Sequence, residues 1–445
     1  MMVEGFQVQR VAWEPCENAA PTQCASIDVP LIWNQPQGGM LSLRLKKIPA
    51  RNHGFHTLLI NFGGPGASGT ELLSSSPFSS AVLDSFDLVS WDPRGVSDGV
   101  TSGCRQQDLD AHFDNDFNPD SPEERAALAA TAQVIATSCA VGAEAVASLT
   151  TIDTVHDVEA IRVALGLDSF DFYGLSYGTD LAQALLARSP EHLRTVIFDG
   201  VMLNSDSLTQ QLTKQAVAFE ENLNSACVRY GCGQDPAPLA AEVMSKAEHG
   251  ELNGRHGLVT QTDVATAGII AAYRPGGWRD YVRDLKAAND GDPTALETAA
   301  SHYPPVAGVG AYYGTSCTDS PHPTGAGDWD RFAQELASLA PTFGSAVAYD
   351  MEPCAFWPLP AFRSREDGHT DERVPKLVIG NTFDSATPFR NAKDLASKMH
   401  HISLTTLESD GHTSLGTSPC VSDVIEKFLT SAEVQPETSC NDVSG

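Results

Sequence analysis

Several features are missing from this chain, and each absence excludes a class of protein. No apolar run reaches the roughly 18 to 20 residues that a membrane span requires, so no membrane-spanning helix is expected in these 445 residues. Positive charge is scarce: 28 Lys and Arg stand against 57 Asp and Glu, a formal net charge of −29. Such a surface repels phosphate backbones and no basic cluster offsets it, so nucleic acid is not an expected partner. HExxH, paired CxxC and GKS/GKT are absent, which removes the common zinc patterns and the lysine-bearing phosphate loop. Neither a metal nor a cofactor is expected. Internal repeats and low-complexity tracts are also lacking. The opening MMVEGFQVQR has neither the basic nor the apolar region of a secretory signal peptide. Either a leader is missing from this chain, or the protein is not exported by that route.

What is present describes a globular protein, with 42% hydrophobic and 19% charged residues. The length exceeds that at which a single core usually stops growing, which suggests one large domain with an insertion, or two domains. Ten cysteines fall as near neighbours along the chain: Cys16 and Cys24, Cys104 and Cys139, Cys227 and Cys232, Cys317 and Cys354, Cys420 and Cys440. Local disulfides in an oxidising compartment explain that spacing; buried free thiols in a cytosolic enzyme are the competing account.

The outer parts of the chain alternate strand and helix. LSLRLKKI (Leu41 to Ile48) has period two, and HTLLINF (His56 to Phe62) and FDLVSWD (Phe86 to Asp92) are short apolar runs closed by glycine or proline. TTIDTVHDVEAIRVALGL predicts a helix leading through Gly166 into the strand FDFYG; YGTDLAQALLARSP predicts a helix stopped by Pro190, and TVIFDG (Thr195 to Gly200) another strand. From about Leu203 to Glu372 the strand signal fades into helix-compatible stretches broken by Pro and Gly. The alternation returns with KLVIGNTFD (Lys376 to Asp384), a helix to Met399, ISLTTLES (Ile402 to Ser409) and a closing helix around VSDVIEKFLTSA. The expected architecture is α/β, a mostly parallel central sheet with an inserted, mainly helical cap: core 1–202, cap 203–372, core 373–445.

Gly174, Ser176 and Gly178 in DFYGLSYGTDLA form G-x-S-x-G between a strand and a helix. In that context the glycines permit a sharp turn that exposes the serine as a nucleophile, with the Tyr177 amide at a helix start placed to stabilise an oxyanion. An ordinary glycine-rich turn would look the same in isolation. A serine hydroxyl needs a base and an orienting carboxylate, in the order Ser, Asp or Glu, His. Asp384 ends KLVIGNTFD and His412 sits in ESDGHTS, each just after a strand. Taken singly, the Asp reads equally well as a helix cap and the His as a solvated loop residue. NFGGPGASG follows HTLLI, and Gly64 in it is the candidate second oxyanion donor.

Six segments, GGPGASG, WDPRGVSDG, YGLSYGT, FDGV, GNTFDSATP and DGHTS, together resemble the prolyl-iminopeptidase-like branch of α/β-hydrolases. Within it the chain is most similar to the secreted tripeptidyl aminopeptidases of actinomycetes, with their characteristic C-terminal segment, and the resemblance covers nearly the whole chain. It implies an α/β-hydrolase fold, a serine peptidase acting on free N-termini, the triad Ser176, Asp384 and His412, and the pairs Cys16 with Cys24 and Cys317 with Cys354. It also implies an extracytoplasmic location, with an intracellular pathway enzyme as the alternative. Phe62 stands where that branch commonly has a histidine, and the cap is the least recognisable part. A peptidase of this kind needs a carboxylate for the substrate's ammonium; Glu220 and Glu221 in the first cap helix and Asp319 beside Cys317 are candidates. Arg94 reads as an ion-pair partner, and Trp278 as a pocket or packing residue. Two other functions fit the same residues: an esterase, lactonase or amidase acting on a small metabolite, and a non-catalytic binding protein on a hydrolase scaffold. The expected partner is a peptide or a small ester or amide substrate; the oligomeric state is open.

Overall fold

The computed structural model describes residues 2–17, 21–52, 56–75, 77–97, 100–101, 103–140, 146–233, 235–301, 303, 308–359, 373–434 and 436–441. Ten strands form one sheet: β1 (Glu14–Pro15), β2 (Gln23–Pro30), β3 (Met40–Ile48), β4 (His56–Asn61), β5 (Phe86–Trp91), β6 (Phe170–Leu175), β7 (Leu193–Asp199), β8 (Lys376–Phe383), β9 (Ile402–Asp410) and β10 (Thr438–Cys440). Their order is β10-β9-β8-β7-β6-β4-β5-β3-β2-β1. Every pairing from β10 through β5 is parallel, and β5, β3, β2 and β1 continue antiparallel. The runs read as strands in the sequence are therefore strands: the period-two run LSLRLKKI lies in the antiparallel part of the sheet, and the short apolar runs lie in the parallel part. The short edge strands β1 and β10, and the strand β2, escaped that reading.

Successive residues of the central strands face opposite sides, as the pleat requires. Leu59, Phe172, Val196, Phe198 and Val378 pack with α3 (Thr151–Leu165) and α4 (Tyr177–Arg188) on one face. Leu58, Ile60, Tyr173, Ile197, Leu377 and Ile379 pack on the other, against α14 (Pro419–Ser431). Both faces are thus covered, which is why these strands read as almost continuously apolar. Helix α3 starts where Thr150 accepts a hydrogen bond from the Asp153 amide and stops at Gly166, whose φ of 73° is left-handed.

Between β7 and β8 the chain forms α5 (Leu208–Tyr230), α6 (Pro236–Glu248), α7 (Gln261–Ala271), α8 (Gly277–Asn289), α9 (Thr294–Ala300), α10 (Val309–Asp319), α11 (Ala326–Leu339) and α12 (Gly344–Asp350). These share one apolar cluster, including Phe219, Trp278, Tyr281 and Phe343. The same cluster takes in Leu109, Leu128 and Ile135 from α1 (Gln106–Phe113) and α2 (Pro122–Cys139). Residues 106–139 were read as hydrolase core, yet they pack into the helical layer. The reason is that apolar burial follows spatial neighbours, not chain order. The expected boundary at 372 lies outside the described residues. Helix α13 (Phe389–Lys398) follows β8.

Five disulfides join Cys16 to Cys24, Cys104 to Cys139, Cys227 to Cys232, Cys317 to Cys354 and Cys420 to Cys440. They fit an oxidising compartment. Among the described residues, no helix is long and apolar enough to cross a membrane.

Candidate active site

Ser176 occupies the turn between β6 and α4 with φ 54° and ψ −121°, a backbone conformation that costs energy for a residue with a side chain. The flanking glycines make that turn possible. A Cβ on Gly174 would lie 2.1 Å from the Gly178 carbonyl oxygen, and one on Gly178 would lie 2.6 Å from that of Asn61. The Ser176 amide donates to the carbonyl of Asp199 (2.9 Å), which fixes the turn to the end of β7. Its neighbours are buried while Ser176 itself stays partly accessible.

The glycine loop after β4 lies directly against this turn. Gly63 has φ 86°, and a Cβ there would come within 2.4 Å of the Leu175 carbonyl oxygen and 2.9 Å of the Ser176 Cβ. Gly64, with φ 106° and a cis bond to Pro65, lines the same cavity as Ser176. Tyr177 is the first residue of α4, the position where helix amides point outward along the axis.

His412 follows β9 on a loop held from two sides: Asn381 Nδ2 donates to the carbonyls of Gly411 (3.0 Å) and Thr413 (2.8 Å), and the His412 amide donates to that of Tyr273 (3.2 Å). Its Nδ1 lies 3.0 Å from Asp384 Oδ2 and 3.2 Å from Oδ1. Burial lowers the imidazole's proton affinity, but the charge and hydrogen bond of Asp384, with a further contribution from Asp199, raise it above the ordinary histidine value overall. Asp384 does not cap the following helix, whose N-cap is Pro388 without a side-chain hydrogen bond; its carboxylate instead holds the turn before it, accepting from the Thr387 amide (2.9 Å) and hydroxyl (2.8 Å). No hydrogen bond joins Ser176 to His412 among the described residues; in unliganded sites this contact often tightens only with substrate.

Asp199 connects the two halves. Its main chain receives the Ser176 amide, and its buried carboxylate accepts from Tyr173 Oη (2.8 Å), the Ser414 amide (2.9 Å) and Ser414 Oγ (2.9 Å). Next to it, a Cβ on Gly200 would lie 3.3 Å from His412 Cε1. Burial pushes the Asp199 carboxyl up to about 6 in spite of those donors. Asp199 and Thr387 were not singled out in the sequence, although both stand in motifs that were. An aspartate closing the apolar strand TVIFD was the available signal.

The three carboxylates expected to meet an ammonium group are elsewhere. Glu220 is buried, and its oxygens accept from the Thr342 amide (2.9 Å) and hydroxyl (3.0 Å), so it fixes α5 to the turn before α12. Glu221 is exposed on the outer side of α5. Asp319 accepts from the amide (2.8 Å) and hydroxyl (2.5 Å) of Thr151, at the start of α3. None of the three lines the cavity that Ser176 opens into. Spacing along a helix could not tell a cavity-facing carboxylate from one spent on a neighbouring turn. Arg94 is buried in an ion pair with Asp157 (2.6 Å), and Trp278 packs among Phe219, Tyr281 and Phe343. From the helical layer and its connections, Tyr273, Tyr303, Tyr312 and Asp350 line the cavity that Ser176 opens into.

Residues 44–226 match the family model for the alpha/beta hydrolase fold, and residues 340–440 match that for TAP-like proteins. Among curated proteins, Serine protease Hip1 of Mycobacterium tuberculosis is 28% identical, with 98% of this chain and 91% of the relative aligned. Tripeptidyl aminopeptidase of Streptomyces coelicolor is 27% identical over 94% of this chain and 83% of its own. Carboxylesterase B of Mycobacterium tuberculosis is 27% identical over 93% and 85%.

Proposed function

We propose that this chain, a serine hydrolase of the α/β-hydrolase fold with a TAP-like C-terminal part, is an exopeptidase that releases short peptides from free N-termini. Ser176 attacks the scissile carbonyl, and His412 takes the hydroxyl proton through Nε2 and returns it to the leaving amine. Asp384 holds the imidazole by Nδ1, and water then hydrolyses the acyl-enzyme. The amides of Gly64 and Tyr177 receive the oxyanion, each contributing about 3 kcal/mol to transition-state stabilisation.

The observation that carries this reading is convergence: the strained Ser176 turn and the Gly64 loop border one cavity, and Asp199 and Gly200 link Ser176 to the His412–Asp384 pair. The relatives named as a serine protease and a tripeptidyl aminopeptidase support the peptide as substrate. The helical layer serves as the cap that selects it. Five disulfides support an extracytoplasmic location.

An esterase acting on a small substrate is the second reading, favoured by the relative named carboxylesterase B. The test compares p-nitroaniline release from a free tripeptide anilide and from its N-acetylated twin, with Ser176→Ala as control and fluorophosphonate labelling of Ser176 alongside. Cleavage of the free form only, lost in the variant, is the expected result. Labelling at Ser176 without cleavage of either anilide would transfer the enzyme to the second reading, and absence of labelling would remove the catalytic assignment.

A further inference from the structure

Asp350 is the last residue of α12 and faces the cavity that also exposes Ser176. Its surroundings are poor in compensation for a negative charge. Tyr312 Oη donates to its Oδ2 at 3.0 Å, and Tyr303 Oη lies 3.4 Å from both oxygens, a long and divided contact. Among the described residues, no Lys, Arg or His forms an ion pair with it. Every other deeply placed carboxylate described above has an internal use: Asp157 holds Arg94, Asp384 holds His412, Glu220 holds Thr342 and Asp199 holds Ser414. Asp350 has two tyrosine hydroxyls and open space.

A carboxylate taken out of water without a cation is costly, and burial accordingly raises the Asp350 carboxyl to about 6. A ligand carrying an ammonium group removes that cost by supplying the missing charge and up to three donors. Tyr273, Tyr303 and Tyr312 line the same cavity, so aromatic side chains, which are able to favour a cation, stand in one site with this carboxylate. We infer that Asp350 is the residue that receives the free N-terminal ammonium of the peptide, and so makes this cavity selective for unblocked chains. The inference rests on the exopeptidase reading and assigns its specificity to a residue of α12.

The experiment measures kcat/KM for the free tripeptide p-nitroanilide and for its N-acetylated twin, in the wild type and in Asp350→Asn. Removing one partner of a desolvated charge pair typically costs about 2 to 5 kcal/mol, so the free-to-acetylated preference is expected to fall about 30-fold or more. Fluorophosphonate labelling of Ser176 reports whether the variant's site is assembled. Tyr312→Phe keeps the carboxylate and removes its one short hydrogen bond; its preference is expected to fall about tenfold, and it carries the test if Asp350→Asn does not fold. A preference unchanged in both variants, whether or not the two rates fall together, overturns the assignment while leaving the exopeptidase reading in place. A wild type that shows no preference for the free form overturns both.

Discussion

Two opposing influences set the proton affinity of the His412 imidazole: burial lowers it, and the charge and hydrogen bond of Asp384 together with the charge of Asp199 raise it by more. A general base acts as the neutral imidazole. The rise of kcat/KM with pH for a neutral ester is therefore expected to centre above the ordinary value of 6.5. Asp384→Asn removes the charge that holds the proton, so kcat should fall by about 10⁴-fold and the residual limb should move to lower pH. A wild-type limb below 6.5 would mean that burial outweighs the carboxylates at the imidazole. Ser176, Asp384 and His412 could be picked out in the sequence as candidates because each stands at a strand's end in a short, sterically demanding or glycine-containing turn, and the proposed triad rests on them. Thr387 and Asp350 could not, since a threonine three residues past an aspartate and an aspartate closing an apolar helix are common in many unrelated settings. Their meaning depends on what lies across from them.

At the scale of elements, α5 fastens the helical layer to the loop that carries Asp384. Asn222 is buried, and its Nδ2 donates to the Phe383 carbonyl (2.9 Å) and to Ser385 Oγ (2.8 Å) on either side of Asp384. Gln215, two turns earlier, donates to the carbonyl of Ala386 (2.8 Å). Asn222→Ala leaves two buried groups without that partner, a cost of about 1 to 3 kcal/mol. It is expected to lower the unfolding free energy read from a urea titration by that amount and to reduce kcat more than it raises KM, because it frees the carboxylate proposed to orient His412. Unchanged kcat with lowered stability would mean that α5 only braces the layer. Helix α5 could be foreseen from its composition; its docking partner could not, because an amphipathic pattern states which face is buried and not against what.

The whole molecule stores several carboxyl groups in places that disfavour their charge. Burial raises Asp171, Asp199 and Asp350 to about 6 and Glu352 to about 7. A carboxyl whose folded pKa is raised contributes stability that is complete below its unfolded value and is lost as pH climbs through the folded one. His112 and His156, lowered to about 4 by burial, act in the opposite sense and cost stability as pH falls from 6.5 towards 4. The carboxyl groups are more numerous, and the repulsion within a net charge of −29 also eases on acidification. The melting temperature at pH 5 is thus expected to exceed that at pH 8 by roughly 2 to 4 °C. A lower value at pH 5 would mean that the two histidines outweigh the carboxyl groups.

What the amino-acid sequence determined by itself were the features with short-range causes. These are the period-two strand and the short apolar strands, the helices between them, the sterically enforced turn at Ser176, and the chain order of serine, aspartate and histidine. Each depends on residues within a few positions of one another, where pleat, helical pitch and the space for a Cβ act directly. The tertiary structure alone decided that α1 and α2 join the helical layer. It also decided that Glu220 and Asp319 hold neighbouring turns while Asp350 faces the cavity. A carboxylate's role follows from its burial and from the charges and donors around it, and those neighbours come from parts of the chain that only folding brings together.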